Sequence, residues 1–256
     1  MKKNILEVKS NKEIAQEIFE IKLKGDFAKS EFIPGAFLHI KCSDNVHPLL
    51  RRPMSICDIS DDEKEMTVLY RVEGAGTKLL GEKQIGDSLD VLAPLGTPYD
   101  LTINAGDKVF LVGGGIGIPP LYYLGKELKK KGAVIKSFLG FASKTDSFYV
   151  DEFKELGEVE VATVDGSLGH KGFVTDKVDL DFDALYSCGP TPMFKTLQKL
   201  IPEDKKAFIA MEERMGCGVG ACLACVCKPN SKYFPNKSYV RACKEGPVFK
   251  LHDLEF

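Results

Sequence analysis

Three cysteines crowd into one short run near the C-terminus, Cys217-Gly218-Val219-Gly220-Ala221-Cys222-Leu223-Ala224-Cys225, and Cys243 stands alone further on. A C-x4-C-x2-C run followed by a distant fourth cysteine is the plant-type spacing for four thiolates around a [2Fe-2S] cluster. Glycine and alanine between the first ligands let the backbone wrap inorganic sulfide closely. Four thiolates would also satisfy a tetrahedral zinc ion, but zinc sites usually present two close pairs separated by a longer loop. Cys227 is a fifth thiol, in Cys225-Val226-Cys227-Lys228, a stretch with the look of a starting strand. A ligand that close to Cys225 would put all four thiolates on one loop and leave the far iron uncovered, which favours Cys243.

A second chemistry resides in two turns. Gly113-Gly114-Gly115-Ile116-Gly117-Ile118-Pro119-Pro120 follows an apolar run and opens a helical one. Unpaired amides and the helix dipole favour a pyrophosphate there. Pro120 occupies the place of the third glycine in a dinucleotide fingerprint, so the turn alone is a modest signal. The turn Cys188-Gly189-Pro190-Thr191-Pro192-Met193 reinforces it, because ligands of open parallel sheets gather at the carboxyl ends of the strands. The two turns, with Cys188 and Gly189 in the second, can therefore meet on one dinucleotide.

Earlier in the chain, Arg52-Pro53-Met54-Ser55 and Leu69-Tyr70-Arg71 read as strands, and Gly74-Ala75-Gly76-Thr77 leads into a short helix. Arg52 can pair with a phosphate. Gly76 and Thr77 can cap the helix and hold a second phosphate oxygen, and Tyr70 can lie along a flavin. Taken singly, each has a plainer reading: a surface ion pair, a helix cap, a core tyrosine.

These motifs need three supports. Residues 1–100 carry short alternating runs, at 19–23, 37–40, 66–70 and 89–92, punctuated by Gly and Pro. They predict an antiparallel β-barrel. Over 101–212 the pattern becomes strand then helix, with strands at 109–112, 134–141, 159–164, 185–188 and 207–211 and helices at 119–131, 150–156 and 191–201. That alternation predicts a parallel-sheet α/β domain. Residues 213–256 form a small third unit whose fold leans on the metal.

The chain has 256 residues with 35 basic and 37 acidic side chains and a net charge of −2. No charged block suggests nucleic acid or an anionic membrane as partner. Glu7 and Lys9 interrupt the apolar part of the N-terminal segment, which therefore does not read as an export signal, and no apolar run approaches bilayer length. A cytoplasmic location is expected, and eight cysteines in a reducing compartment argue for metal or redox chemistry over disulfides.

In order and together, the arginine-x-x-serine strand, the glycine-threonine turn, the triple-glycine turn and the cysteine-glycine-proline turn resemble the ferredoxin-reductase-like flavoproteins. With the cysteine unit added, the whole chain resembles the electron-transfer subunits of NAD-dependent (type B) dihydroorotate dehydrogenases. Glu212-Glu213-Arg214-Met215-Gly216-Cys217 through Cys222 and Asp165-Gly166-Ser167-Leu168-Gly169-His170-Lys171-Gly172 carry that likeness. The resemblance implies FAD on Arg52–Ser55, Leu69–Arg71 and Gly76–Thr77, NAD on the Gly113–Gly117 turn, and a [2Fe-2S] cluster on Cys217, Cys222, Cys225 and Cys243. It also implies an FMN-containing catalytic partner in a two-plus-two heterotetramer serving pyrimidine (UMP) biosynthesis. Electrons would pass from the partner's FMN through the cluster and FAD to NAD+.

Two features depart from relatives. Met54 stands where plant-type reductases carry an aromatic residue on the flavin, and a thioether covers less of a ring. No arginine follows Phe141-Ala142-Ser143-Lys144, which favours NAD over NADP. No acid, base or nucleophile constellation is visible, so substrate oxidation is assigned to another chain. Related NAD(P)H-dependent iron–sulfur reductases serving ferredoxin, sulfide, sulfite or hydrogenase partners share the first two units, and a zinc-stabilised regulatory module is the reading from another class.

Overall fold

The computed structural model describes residues Met1–Phe256. Its first sheet is antiparallel and contains β1 (Lys2–Ala15), β2 (Ile18–Lys24), β3 (Phe37–Ile40), β4 (Arg52–Ser55), β5 (Asp58–Ile59), β6 (Glu65–Arg71) and β7 (Ser88–Leu95), in the spatial order β4-β3-β7-β1-β2-β6-β5. The sheet curls until β4 lies against β6. Val8, Ile21, Leu38, Val68 and Val91 fill its interior. The helix α1 (Ala75–Gly81) follows β6.

The opening strand differs from the sequence reading, which assigned no element there. Its outer half is largely exposed and charged, and only Leu6 and Val8 are fully inward. Pairing with both β2 and β7, rather than apolar content, makes it a strand.

The second sheet contains β8 (Lys108–Gly114), β9 (Val134–Phe141), β10 (Gly157–Thr163), β11 (His170–Lys171), β12 (Ala184–Cys188), β13 (Ala207–Ala210) and β16 (Val248–Lys250), in the order β11-β10-β9-β8-β12-β13-β16. All pairings are parallel except β13 with β16. Helix α2 (Pro119–Lys130) and α3 (Val150–Leu156) cover one face, and α4 (Thr191–Leu200) covers the other. Alternation along β8 serves both: Val109 and Leu111 pack with Leu121 and Leu124 of α2, while Phe110 and Val112 join Phe194 and Leu197 of α4. The chain moves outward from β8 through β9 and β10, then returns to place β12 on the other side of β8. That reversal opens a crevice at the carboxyl ends of β8 and β12.

From Glu212 the chain forms mostly turns, with one small hairpin of β14 (Val226–Cys227) and β15 (Val240–Arg241). It then re-enters the parallel sheet as β16. Phe249, Leu251 and Leu254 join the core on the α4 side. The end of the chain is therefore held by apolar burial, and the turn-rich stretch before β16 joins the same core through Met215, Cys225, Val240 and Ala242.

Candidate flavin, nucleotide and iron–sulfur sites

The cavity between the two sheets has a volume of about 240 Å³ and is walled by Pro53, Met54 and Ser55 of β4, Leu69, Tyr70 and Arg71 of β6, and Ile116 of the triple-glycine turn. Phe37, Glu73 and, from the C-terminal segment, Met211, Glu212, Glu213, Met215 and Pro247 complete it. Sequence reasoning missed this last group, although 212–215 belongs to the segment that carried the family likeness. Three thioethers, of Met54, Met211 and Met215, thus line the cavity, Met54 at the position where plant-type reductases carry an aromatic residue.

Arg71 Nε is buried with no hydrogen-bond partner, and its nearest acid, Glu73, is 3.8 Å away. A buried guanidinium nitrogen left unpaired is costly, and a phosphate or flavin oxygen would satisfy it. Arg52 lies across Gly76, where a Cβ would come within 2.8 Å of Arg52 Nε. The two phosphate elements named from sequence are therefore in contact. Thr77 Oγ1 accepts from the amides of Glu73 and Gly74, at 3.0 and 3.1 Å, and so is spent on fixing the turn. Tyr70 is buried, stacks on Phe19 at 5.7 Å and donates from its hydroxyl to Asn11 Oδ1 at 2.9 Å. Its ring belongs mainly to the barrel core and reaches the cavity only as wall.

The second cavity, about 540 Å³, runs over the carboxyl ends of β8, β9 and β10 and shares Arg71, Glu73, Ile116 and Glu212 with the first. Gly114 and Gly115 line it, whereas Gly113 and Gly117 are consumed in packing. A Cβ on Gly117 would sit 2.5 Å from the Cys188 carbonyl, and one on Gly114 would sit 2.9 Å from Pro190 Cδ. The triple-glycine and cysteine-glycine-proline turns thus touch, as their shared sheet edge predicts. Gly189, at φ +155°, makes the close approach to Gly114 possible. Cys188 is buried behind this contact with its thiol 3.8 Å from Glu212 Oε1. Burial, and next the Glu212 charge, push that thiol well up. Glu212 is open to the cleft, and desolvation raises its carboxyl above the usual range.

Two residues beyond Met215 the cysteine loop begins. Backbone amides converge on its sulfurs: Val219 and Ala221 donate to Cys217 Sγ at 3.4 and 3.2 Å, and Gly220 donates to Cys243 Sγ at 3.1 Å. Burial disfavours the Cys217 thiolate, but these amides and that of Cys222 outweigh it and bring the thiol down to about 6. The Cys217 amide meets Cys222 Sγ at 3.4 Å, and the Cys243 amide meets Cys225 Sγ at 3.4 Å. The four sulfurs therefore fall into an outer pair, 217 with 222, and a buried pair, 225 with 243. Two pairs of thiolates in a cradle of amides fit a two-iron cluster. Burial pushes the Cys243 and Cys227 thiols up to about 12. Cys227 lies in the same apolar core as Cys225 and Cys243, and its thiol donates weakly to the Cys225 carbonyl at 3.9 Å. Gly218, at φ +71°, packs on buried His39 of β3, where a Cβ would come within 2.6 Å of Nδ1, so the loop is pressed onto the barrel.

A curled antiparallel sheet, a parallel nucleotide sheet and a cavity between them define a ferredoxin-reductase-like flavoprotein, here extended by an iron–sulfur loop. Solved structures agree. That of an NADH-dependent reduced ferredoxin–NADP oxidoreductase superposes with a TM-score of 0.82 at 30% identity, covering 98% of this chain and 89% of that one. The cytochrome b5 reductase domain of Ulva prolifera nitrate reductase shares the fold, with a TM-score of 0.66 at 15% identity over 81% of this chain and 97% of its own. Residues 212–255 match the model of the iron–sulfur cluster binding domain of dihydroorotate dehydrogenase B. The electron-transfer subunits of dihydroorotate dehydrogenase B (NAD(+)) from Bacillus pumilus and a Geobacillus species are 53% and 49% identical. Each alignment covers 99% of this chain, with 98% and 99% of the relative. The chain belongs to the family of electron-transfer subunits of NAD+-dependent dihydroorotate dehydrogenase B. It is an oxidoreductase subunit that carries FAD and a [2Fe-2S] cluster, and as an electron-transfer subunit it serves a catalytic partner. No helix is long and apolar enough to cross a membrane.

Proposed function

We propose that this chain passes electrons from the FMN of a dihydroorotate-oxidising partner to NAD+, in pyrimidine (UMP) biosynthesis. One observation carries the reading: the methionine-lined cavity shares Arg71, Glu73, Ile116 and Glu212 with the nucleotide cavity, and Met215 of its wall lies two residues before Cys217. Bound FAD exchanges single electrons with an iron–sulfur centre and a hydride with a nicotinamide. Arg52, Gly76 and the backbone at Thr77 bind its phosphates, Pro53, Met54, Ser55 and Leu69 position its ring, and Arg71 faces the junction. Gly114 and Gly115 receive the dinucleotide pyrophosphate, with Gly113, Gly117, Cys188 and Gly189 shaping the turns. Cys217, Cys222, Cys225 and Cys243 would hold the [2Fe-2S] cluster, which would supply one-electron transfer beside the flavin.

The division into 1–100, 101–212 and 213–256, the two-plus-two assembly with an FMN subunit and a cytoplasmic location belong to the same reading. NAD is preferred over NADP, supported by the missing arginine at Ala142-Ser143-Lys144 and by Asp165. Asp165 follows Val164 of the cavity wall and could accept a hydrogen bond from a ribose hydroxyl, and the Ser167 hydroxyl and amide hold its carboxyl below the usual range. The test is reconstitution with the FMN subunit. The pair forms NADH from dihydroorotate, while this chain alone reduces dyes with NADH but yields no orotate. Orotate from this chain alone, or a pair that neither associates nor couples to NAD+, would assign it to a different reductase, and equal efficiency with NADPH would remove the cofactor preference.

A further inference from the structure

His39 is 1% exposed, and neither Nδ1 nor Nε2 has a hydrogen-bond partner. Alternation along β3 explains where the ring lies. Leu38 and Ile40 fill the barrel, which leaves Phe37 and His39 on the outer face of the strand. Phe37 stands opposite Ser55 and His39 opposite Pro53, so the imidazole continues the strand face that walls the flavin cavity. Where that wall ends, the ring meets the cysteine loop at Gly218, whose added Cβ would also come within 3.1 Å of Cε1. The carbonyls of Arg51 and Cys217 lie near enough to favour a proton on the ring, yet neither is in hydrogen-bonding geometry. Burial, and next the Arg51 charge, push the imidazole down, so it is neutral with one N–H to place.

A buried N–H without an acceptor costs about 1–3 kcal/mol, which an apolar side chain of similar size would avoid. The Cys217 carbonyl is the acceptor that belongs to the cluster loop. We propose that His39 is a positioning residue for the iron–sulfur centre, donating its N–H to the Cys217 carbonyl in the loaded protein and seating that end of the loop on the flavin strand. The proposal rests on the four-cysteine reading above and adds a residue that acts through the backbone of a ligand. The bond fixes Cys217 relative to Pro53, and so the cluster relative to the flavin. It also turns the positive end of the N–H dipole toward the loop, which favours the reduced, more negative centre.

The test compares His39→Leu, which keeps apolar volume and removes the donor, with His39→Asn and His39→Gln, which keep an amide N–H near the places of Nδ1 and Nε2. Each FAD- and cluster-loaded protein is titrated with reductant, and the EPR signal of the reduced cluster is followed. At a fixed potential, His39→Leu lowers the ratio of reduced to oxidised cluster about fivefold, the scale of one hydrogen bond, and moves the g-values. One of the two amide variants returns both to the wild-type values. A ring that merely filled the core would give the opposite result, because leucine removes an unpaired polar group and leaves the cluster unchanged or steadier. That outcome, or a shift or loss of the cluster that neither amide variant reverses, would overturn the assignment. Reduced wild-type protein without an iron–sulfur EPR signal would instead remove the cluster reading itself.

Discussion

In the parallel sheet Val109, Leu111, Val112, Leu139 and Leu185 are completely buried, each contributing about 1.5–3 kcal/mol through removal from water. Between Glu212 and Gly246, by contrast, the only regular structure is a hairpin of two-residue strands, and Val219, Leu223 and Val226 face solvent. What holds that stretch is a set of amides aimed at sulfur, with one buried edge through Cys225, Cys227, Val240 and Ala242. One region is organised by its own core, the other around four cysteine sulfurs that would hold a [2Fe-2S] cluster. The flavin cavity lies at their boundary, with β4 and β6 on the core-built side and Met211 to Met215 on the other.

The largest expected effect breaks the two regions apart. Removing iron from the loaded protein, or replacing Cys225 by Ser, abolishes amide protection over residues 212–246 in hydrogen exchange while β8, β9 and β12 keep theirs. Loss of protection throughout both sheets would show that the two regions fold as one unit, and undiminished protection of 212–246 would show that the loop needs no cluster. Cysteine identity gives the next test. Cys243→Ser loses or strongly destabilises the cluster, because its sulfur receives the Gly220 amide and pairs with Cys225, whereas Cys227→Ser retains the EPR signal of the reduced protein. The reverse outcome would place Cys227 in the site.

On the core-built side, the expected effect is confined to one ligand. Arg52→Ala leaves the barrel folded but weakens FAD by about 2 kcal/mol, the scale of one charge-assisted phosphate contact. Flavin retained on gel filtration and the FAD Kd report this. A cluster signal that vanished along with the flavin would show that the two sides are not separable.

The sheets were legible because their signals are local: alternation at 66–70, apolar continuity at 109–112 and glycine turns at strand ends all act within a few residues. Val134–Phe141 and Val150–Leu156 begin and end where the sequence pattern places them. The opening strand was not legible, because its stability comes from two neighbours distant in sequence. The return of the chain as β16 was hidden for the same reason, since three residues carry no periodicity. At the site, motif residues were visible one by one, but their contacts were not. That Arg52 lies on Gly76, that Gly117 abuts Cys188 and that Tyr70 turns to Asn11 depend on which strands pair. Met211, Glu212 and Met215 escaped as cavity residues because nothing in their types marks a wall, and His39 escaped because a lone histidine in an alternating strand reads as core.

The smallest expected effect concerns the tie that closes the metal-organised loop without touching metal. Arg241 donates from NH1 to the Gly220 carbonyl at 2.6 Å and from NH2 to Glu245 Oε1 at 2.5 Å, and its own amide donates to Glu245 Oε2 at 2.8 Å. This clamp holds the turn that offers Gly220 to Cys243. Both side chains are about one quarter exposed, so solvent screens part of their attraction. Glu245→Gln keeps the shape and a neutral hydrogen bond but removes the charge, for a cost of about 1 kcal/mol. The iron–sulfur absorption then decays roughly fivefold faster on mild heating, with flavin content and NADH bleaching unaltered. If decay were unchanged, the amides and the cluster would suffice to hold the loop. If the flavin were lost as well, the loop and the barrel wall would be coupled more tightly than their separate means of support imply.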